Sequence, residues 1–178
     1  MEFQQLLEER RSVRKYDGSK KVSKETLCEI ISAANQAPSW KNSQTARYYC
    51  VLSDEMTEKV RTQCLPQFNA DRAQGAALIV TTYVSGVAGF NPDGIPDNEV
   101  GDGWGCYDLG LSNANLILKA KELGLDTLIM GLRDSKKLRE ILSIADNEKV
   151  MAVIALGYSD VKPQKPVRKS IEEITKFF

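Results

Sequence analysis

The sequence predicts one α+β domain, and three observations support that prediction. Helix and strand patterns alternate irregularly along the 178 residues, without the strict β-α-β repeat of a doubly wound sheet. Residues 77–84 form a continuous run of apolar and β-branched residues, which is typical of a strand covered on both faces. The chain is long enough for one full hydrophobic core, and no internal repeat divides it. We therefore expect a single domain over residues 1–178.

Helix patterns dominate the first half of the chain. Residues 2–11 have amphipathic spacing, and a clearer helix begins after Ser23, whose hydroxyl can cap it, and ends before Pro38. Residues 47–52 are rich in Tyr, Val and Leu and are predicted to form a strand. A polar helix follows this strand and ends before Pro66.

The second half holds a long apolar helix and two more strands. Residues 104–123 are apolar on almost every side, so this helix is either buried or paired with a second subunit. Strands are predicted at residues 127–130 and 150–157. Residues 85–103 contain five glycines and two prolines. A loop of that length is either a functional lid or disordered, and we predict a lid.

The C-terminal segment, residues 159–178, is basic at first and apolar at its end. Its last apolar side chains are Ile171, Ile174, Phe177 and Phe178. Apolar residues at a chain end need a surface to cover them, and the core of the domain is complete without these. We therefore predict an arm that reaches another subunit.

Composition excludes several classes of protein. The 24 basic and 24 acidic side chains cancel, so no overall charge attracts nucleic acid or an anionic membrane. The chain has no histidine, the commonest metal ligand and acid–base group. The four cysteines lack metal-binding spacing, so we expect buried, reduced thiols and no metal site. No signal-like or membrane-spanning segment is visible, and we expect a cytoplasmic protein.

The most distinctive stretch is Arg10-Arg11-Ser12-Val13-Arg14. Guanidinium groups bind phosphate through forked, permanently charged donors, and two or more of them match a phosphate monoester. In an extended backbone Arg10, Ser12 and Arg14 would share one face. Cations are also favoured at a helix C-terminus by the helix dipole. Taken alone, the stretch favours this second interpretation.

Separated motifs together carry a family resemblance. They are R-R-S-V-R at 10–14, A-P-S-W-K-N-S-Q at 37–44, and a closing pattern at 123–131, 154–158 and 166–173. In this order and spacing the chain resembles the nitroreductase family of FMN-dependent oxidoreductases. The resemblance implies the nitroreductase fold, a central, mostly antiparallel sheet flanked by helices. It also implies an intertwined homodimer with FMN at the interface.

The resemblance assigns the FMN phosphate and ribityl chain to the basic segment. The residues concerned are Arg10, Arg11, Ser12 and Arg14. A basic residue near the C-terminus would also meet the phosphate. Arg168 matches that position best, ahead of Lys165 and Lys169.

A loop of the opposite subunit would complete the flavin site. Its members are Pro38, Ser39, Trp40, Asn42 and Gln44. Asn42 and Gln44 would face the flavin and its ribityl group. Asn42 capping a turn and Trp40 serving as ordinary core are the alternatives. Lys41 stands where family members commonly line the substrate pocket, so we expect it to contact substrate.

The strand end at Ile129, Met130 and Gly131 would pass the N5 edge of the flavin ring. Glycine at 131 would allow the backbone to approach the ring closely, or it simply ends the strand. Many family members have Glu-Gly at this point, whereas this chain has Met130-Gly131.

The activity implied is that of an FMN-dependent NAD(P)H oxidoreductase. NADH or NADPH would deliver hydride to flavin N5 and leave, and an electron acceptor would replace it in a ping-pong reaction. Nitroaromatics and quinones are the usual acceptors. No side chain is expected to be an obligatory catalyst, because the cofactor carries the chemistry. The alternatives are another FMN enzyme of this fold, such as a dehalogenase, and a dimer that holds FMN without turnover.

Overall fold

A computed structural model describes residues 2–178, and a four-stranded antiparallel sheet lies at its centre. The strands are β1 (Ala46–Val51), β2 (Ala77–Val84), β3 (Asp126–Met130) and β4 (Glu148–Gly157). Their order across the sheet is β1-β2-β4-β3, and each neighbouring pair is antiparallel. The predicted α+β class and the antiparallel sheet are therefore confirmed.

The described residues contain seven α-helices. They are α1 (Phe3–Glu9), α2 (Lys24–Ala34), α3 (Asp54–Cys64), α4 (Gln67–Arg72), α5 (Gly103–Glu122), α6 (Ser135–Leu142) and α7 (Ile171–Ile174). Of these, α2 to α6 pack on the sheet. The side chain of Ser23 accepts a hydrogen bond from the Thr26 amide at the start of α2, as predicted. Ser53 caps α3 in the same way, and Asp134 caps α6.

The two faces of the sheet carry separate hydrophobic clusters. Leu78 and Val80 of β2 face one cluster, which α3, α4 and α6 cover. Ile79, between them, faces the other cluster, which α2 and α5 cover. Every residue from Leu78 to Tyr83 is buried. The prediction of a strand covered on both faces is confirmed.

Several details differ from the sequence prediction. Helices α4 and α7 were not predicted, because each is too short to show a clear helical repeat. Only a local signal marks the start of each helix: Pro66 before α4 and a Ser170 capping box before α7. The predicted burial of all four cysteines is confirmed for Cys64, is only partly met by Cys106, and is wrong for Cys28 and Cys50, which are exposed free thiols. Both exposed thiols line a groove beside β1, whose outer edge has no neighbouring strand among residues 2–178.

The segment after residue 158 has little cover within one chain. Its apolar side chains are exposed, and Phe177 retains 87% of its accessible surface. This exposure agrees with the predicted arm that reaches a second subunit, and the arm itself stays a prediction. Among residues 2–178, no helix combines the length and the apolar surface needed to cross a lipid bilayer.

Candidate active site

The basic segment continues from α1 as an extended strand beside β3. Ser12 forms a parallel bridge with Thr127, and the Val13 amide donates to the Thr127 carbonyl at 3.0 Å. Val13 is 1% exposed in the core, whereas Ser12 and Arg14 point to the solvent side. The buried Val13 therefore fixes the direction in which its two polar neighbours project.

A pocket of about 250 Å³ collects the predicted phosphate ligands from both ends of the chain. Its lining comprises Arg10, Arg11, Ser12, Arg14, Pro163, Gln164, Pro166 and Arg168. Lys165 belongs to the same segment but does not line the pocket, and neither does Lys169. The structure thus brings Arg168 to the basic segment and leaves Lys165 outside.

The positive charge of this pocket is not neutralised by acidic side chains. None of the ion pairs within residues 2–178 involves its four arginines. Burial, together with the charges of Arg11 and Arg168, lowers the pKa of Arg10. The Arg11 Nε atom is buried and has no hydrogen-bond partner among the described residues. Such a pocket favours an anion.

The end of β3 lies on the same edge of the sheet as the basic segment. Ile129 is 47% exposed there, while Met130 is buried in the core. A Cβ atom built on Gly131 would meet no atom within 4 Å, and the residue has no positive φ. Neither backbone conformation nor a close contact within the chain requires this glycine, and open space lies beside it.

The loop of residues 38–44 has an unusual backbone. Lys41, Asn42 and Gln44 adopt positive φ angles of 46°, 55° and 49°. Asparagine tolerates this region, but the left-handed conformation is costly for Lys and Gln. Strained backbone of this kind concentrates at functional sites, where the surrounding structure must hold it.

Two hydrogen bonds from backbone amides to side chains hold this loop, in addition to the backbone bonds from the Asn42 amide to the Ser39 carbonyl and from the Ser43 amide to the Trp40 carbonyl. The Trp40 amide donates to Asp108 Oδ2 on α5 at 2.9 Å, and the Gln44 amide donates to Ser39 Oγ at 3.0 Å. The first bond fixes the loop to α5, and the second closes it on itself.

Further contacts connect the loop with the start of α5 and with the predicted lid, residues 85–103. The rings of Trp40 and Trp104 lie 4.5 Å apart between centroids, and Trp104 packs edge-on against Tyr107 at 5.6 Å. The Lys41 ammonium lies 2.7 Å from the Asp97 carboxylate. Trp40 thus packs against Trp104 at the start of α5, and Trp104 in turn packs against Tyr107. Whether residues 85–103 act as a lid stays a prediction.

Within one chain the loop of residues 38–44 and the arginine pocket are separate. No hydrogen bond described for the chain joins them, and they line different cavities. The family resemblance assigned this loop to the flavin site of the opposite subunit. The separation of the loop from the arginine pocket within one chain agrees with that assignment.

Comparison with known proteins identifies the family. The model of the nitroreductase family matches residues 7–158. The chain belongs to the nitroreductase family. Two relatives from Bacillus subtilis are provisionally named as NAD(P)H nitroreductases. YdgI is 25% identical over 88% of this chain and 87% of its own length, and MhqN is 27% identical over 99% and 98%.

Solved structures show the same fold. A provisionally named nitroreductase from Exiguobacterium sibiricum, crystallised with FMN, superposes with a TM-score of 0.88 at 22% identity, covering 100% of this chain and 98% of that one. A provisionally named NAD(P)H:FMN oxidoreductase from Staphylococcus epidermidis gives a TM-score of 0.85 at 23% identity, covering 99% and 96%. The predicted nitroreductase fold is confirmed.

Sequence reasoning missed several residues of this nitroreductase site. Asp108 carried a signal, because it is the one carboxylate among residues 103–118, the largely apolar part of this helix. Pro163 and Gln164 carried none beyond the absence of a helix pattern, and Pro166 opened the motif at 166–173 without being assigned to the site. Asp97 was one of several acids in the loop of residues 85–103, and nothing in the sequence indicated its pairing with Lys41.

Proposed function

We propose that this nitroreductase-family chain is an FMN-dependent NAD(P)H oxidoreductase that reduces nitroaromatics, quinones or related acceptors. The arginine pocket carries the proposal. It combines permanent positive charge, a serine hydroxyl and no acidic partner, which is the chemistry that binds a phosphate monoester.

The residues present fit FMN. Arg10, Arg14 and Arg168 would hold the phosphate, and the unpartnered Arg11 Nε offers a further donor in the same pocket. Ser12 would bind the phosphate or the adjoining ribityl hydroxyls. The flavin ring would lie beside residues 129–131, on the same edge of the sheet, where a side-chain atom at Gly131 would meet nothing within 4 Å.

The printed names of the relatives support the cofactor and the donor. The Exiguobacterium structure contains FMN, the Staphylococcus protein is named for NAD(P)H and FMN, and the Bacillus proteins are named for NAD(P)H. When bound, FMN would supply the acceptor and donor of hydride in both half-reactions. The polypeptide would bind and orient reactants, which agrees with a chain that has no histidine. Lys41 would contact the acceptor.

We further propose a homodimer in which each site is shared. Pro38, Ser39, Trp40, Asn42 and Gln44 would reach the flavin held by the partner, with the amides of Asn42 and Gln44 as hydrogen-bonding groups. Two observations support this arrangement. The loop is separate from the arginine pocket within one chain, and the apolar side chains of residues 171–178 are exposed. A cytoplasmic location also stays a prediction.

The visible absorption spectrum of the purified protein tests the function. Flavin bands that bleach on anaerobic addition of NADH or NADPH, and return with a quinone, are the expected result and identify the preferred donor. If neither NADH nor NADPH reduced the bound flavin, the protein would be one that holds FMN without oxidoreductase activity, and the proposed activity would be refuted. A colourless protein that does not take up added FMN would refute the cofactor assignment.

A further inference from the structure

Asp108 is a buried carboxylate that the proposed reaction does not use. It lies on α5, is 4% exposed, and forms no ion pair with any residue in 2–178. Burial raises its pKa, and the hydrogen bond from the Trp40 amide opposes that shift. An isolated buried carboxylate is unfavourable for folding unless strong hydrogen bonds compensate it. Its presence in an apolar helix therefore needs an explanation beyond packing.

The partner of Asp108 is Trp40, the residue directly before the strained part of the loop. The Trp40 amide donates to Oδ2 at 2.9 Å, and the left-handed backbone begins at the next residue, Lys41. Fixing the Trp40 amide sets the direction in which the chain enters the strained turn. A hydrogen bond to an ionised acceptor is about twice as strong as a neutral one, so a carboxylate suits this position.

The other end of the loop meets the same cluster. Ser39, Gln44 and Asp108 line one cavity of about 20 Å³ together with Ser112, and the Gln44 amide donates to Ser39 Oγ. Thr45, also in the lining, has a buried hydroxyl without a partner among the described residues. Both ends of the loop therefore meet at one polar cluster on α5, and Asp108 is its only charged member.

We propose that Asp108 is a positioning residue, which holds the loop of residues 38–44 in the conformation that presents Asn42 and Gln44 to the flavin. This inference rests on the proposed function, because FMN is the group that these amides are proposed to meet. Asp108 itself does not touch the cofactor. It acts through the Trp40 amide and the strained backbone that follows.

Three substitutions at one position test the inference. Asp108→Asn keeps an acceptor oxygen for the Trp40 amide, whereas Asp108→Ala removes it and Asp108→Ser is too short to reach it. Glu148→Gln is a matched control. Glu148 is also a buried carboxylate, but it accepts from Tyr49 on the face of the sheet opposite α5.

The first measurement is amide hydrogen exchange in the flavin-free protein. In Asp108→Ala and Asp108→Ser we expect faster exchange across residues 38–44, with exchange in β4 unchanged. Asp108→Asn should exchange nearly as slowly as the original protein, and Glu148→Gln should leave the loop unchanged. Equal acceleration in the loop and in β4 would show a merely structural role and overturn the inference.

The second measurement is the dissociation constant for FMN. We expect roughly a tenfold increase or more in Asp108→Ala and Asp108→Ser, a magnitude typical of losing a hydrogen bond to a charged group. Asp108→Asn should restore most of the affinity. Original affinity in all three variants would overturn the inference. Failure of the unsubstituted protein to bind FMN would instead refute the proposed function, and the exchange measurement would still decide the role of Asp108 in the loop.

Discussion

The Lys41 ammonium lies 2.7 Å from the Asp97 carboxylate, and this ion pair joins two loops that are distant in the sequence. Lys41 belongs to the strained loop of residues 38–44, and Asp97 belongs to the glycine-rich segment of residues 85–103. Beside them, Trp40 packs against Trp104. Asp97 therefore offsets the positive charge that Lys41 would present to a substrate.

Asp97→Asn should change acceptor selectivity with little effect on stability. The Lys41 side chain is 64% exposed, and exposed ion pairs contribute only about 0–1 kcal/mol. Freed from its partner, Lys41 should lower the KM for an anionic nitroaromatic such as a nitrobenzoate relative to a neutral quinone. Steady-state kinetics with both acceptors checks this, and high salt should reduce the difference. An unchanged KM ratio would argue against contact between Lys41 and substrate.

Arg14→Ala and Arg168→Ala should each weaken FMN binding without unfolding the chain. Loss of a charged hydrogen bond costs about 1.5–3 kcal/mol, which corresponds to roughly a tenfold to hundredfold increase in the dissociation constant. Fluorescence titration with FMN measures it. Lys165→Ala is the control, because Lys165 is a cation of the same segment that does not line the pocket. If the Lys165 variant lost as much affinity as the Arg168 variant, the pocket would not be the phosphate site.

Gly105→Ala should destabilise the fold. A Cβ atom at this position of α5 would overlap the buried Tyr83 ring of β2, and forcing extra atoms into a packed core costs about 1–3 kcal/mol. Gly110→Ala is the matched control in the same helix, because its Cβ would meet nothing within 4 Å. That substitution should stabilise the helix by up to about 1 kcal/mol. Urea unfolding of both variants gives the comparison, and equal midpoints would contradict the packing.

Acid should destabilise the protein partly through Asp102. Burial raises the pKa of this carboxyl, but hydrogen bonds from Lys149, Gly86, Ser85 and Tyr83 outweigh burial and lower it overall. A carboxyl with a depressed pKa in the folded state stabilises the fold above its unfolded pKa of about 3.9, and this contribution disappears as the pH falls through the folded value.

Asp102→Asn therefore should be less stable than the original protein at pH 7 and should lose less stability on acidification below about pH 4. Urea unfolding at pH 7 and pH 3 measures both effects. Asp71→Asn is the control, since Asp71 is exposed and bonded to Gln67 on α4. Parallel pH dependences for the Asp102 variant and the original protein would refute this role.

Periodicity and local capping predicted most of the fold. Ser23 and Pro38 marked the second helix, and the buried run of residues 77–84 marked the central strand, because each of these signals lies in or directly beside the element that it marks. The short helix α4 was missed because tertiary contacts, rather than its own pattern, stabilise it.

The candidate site was predictable only where its chemistry is local. Three guanidinium groups within five residues are compatible with a phosphate site, but only the family resemblance favoured that interpretation, and it also supplied Arg168. The role of Asp108 was not predictable, because it depends on a hydrogen bond across 68 residues of sequence. The strain at Lys41 and Gln44 was equally invisible, because it is a property of the folded backbone.

The pairing of the basic segment with β3 links ligand binding to folding. Val13 docks in the core and its amide bonds to Thr127, while Arg168 arrives from the other end of the chain. The anion pocket is therefore assembled only in the folded chain, and an anion that occupies it binds the native state and not the unfolded state. By mass action, a ligand at one hundred times its dissociation constant would add about 2.7 kcal/mol to the free energy of unfolding. The cellular supply of cofactor would then set the lifetime of the protein as well as its activity.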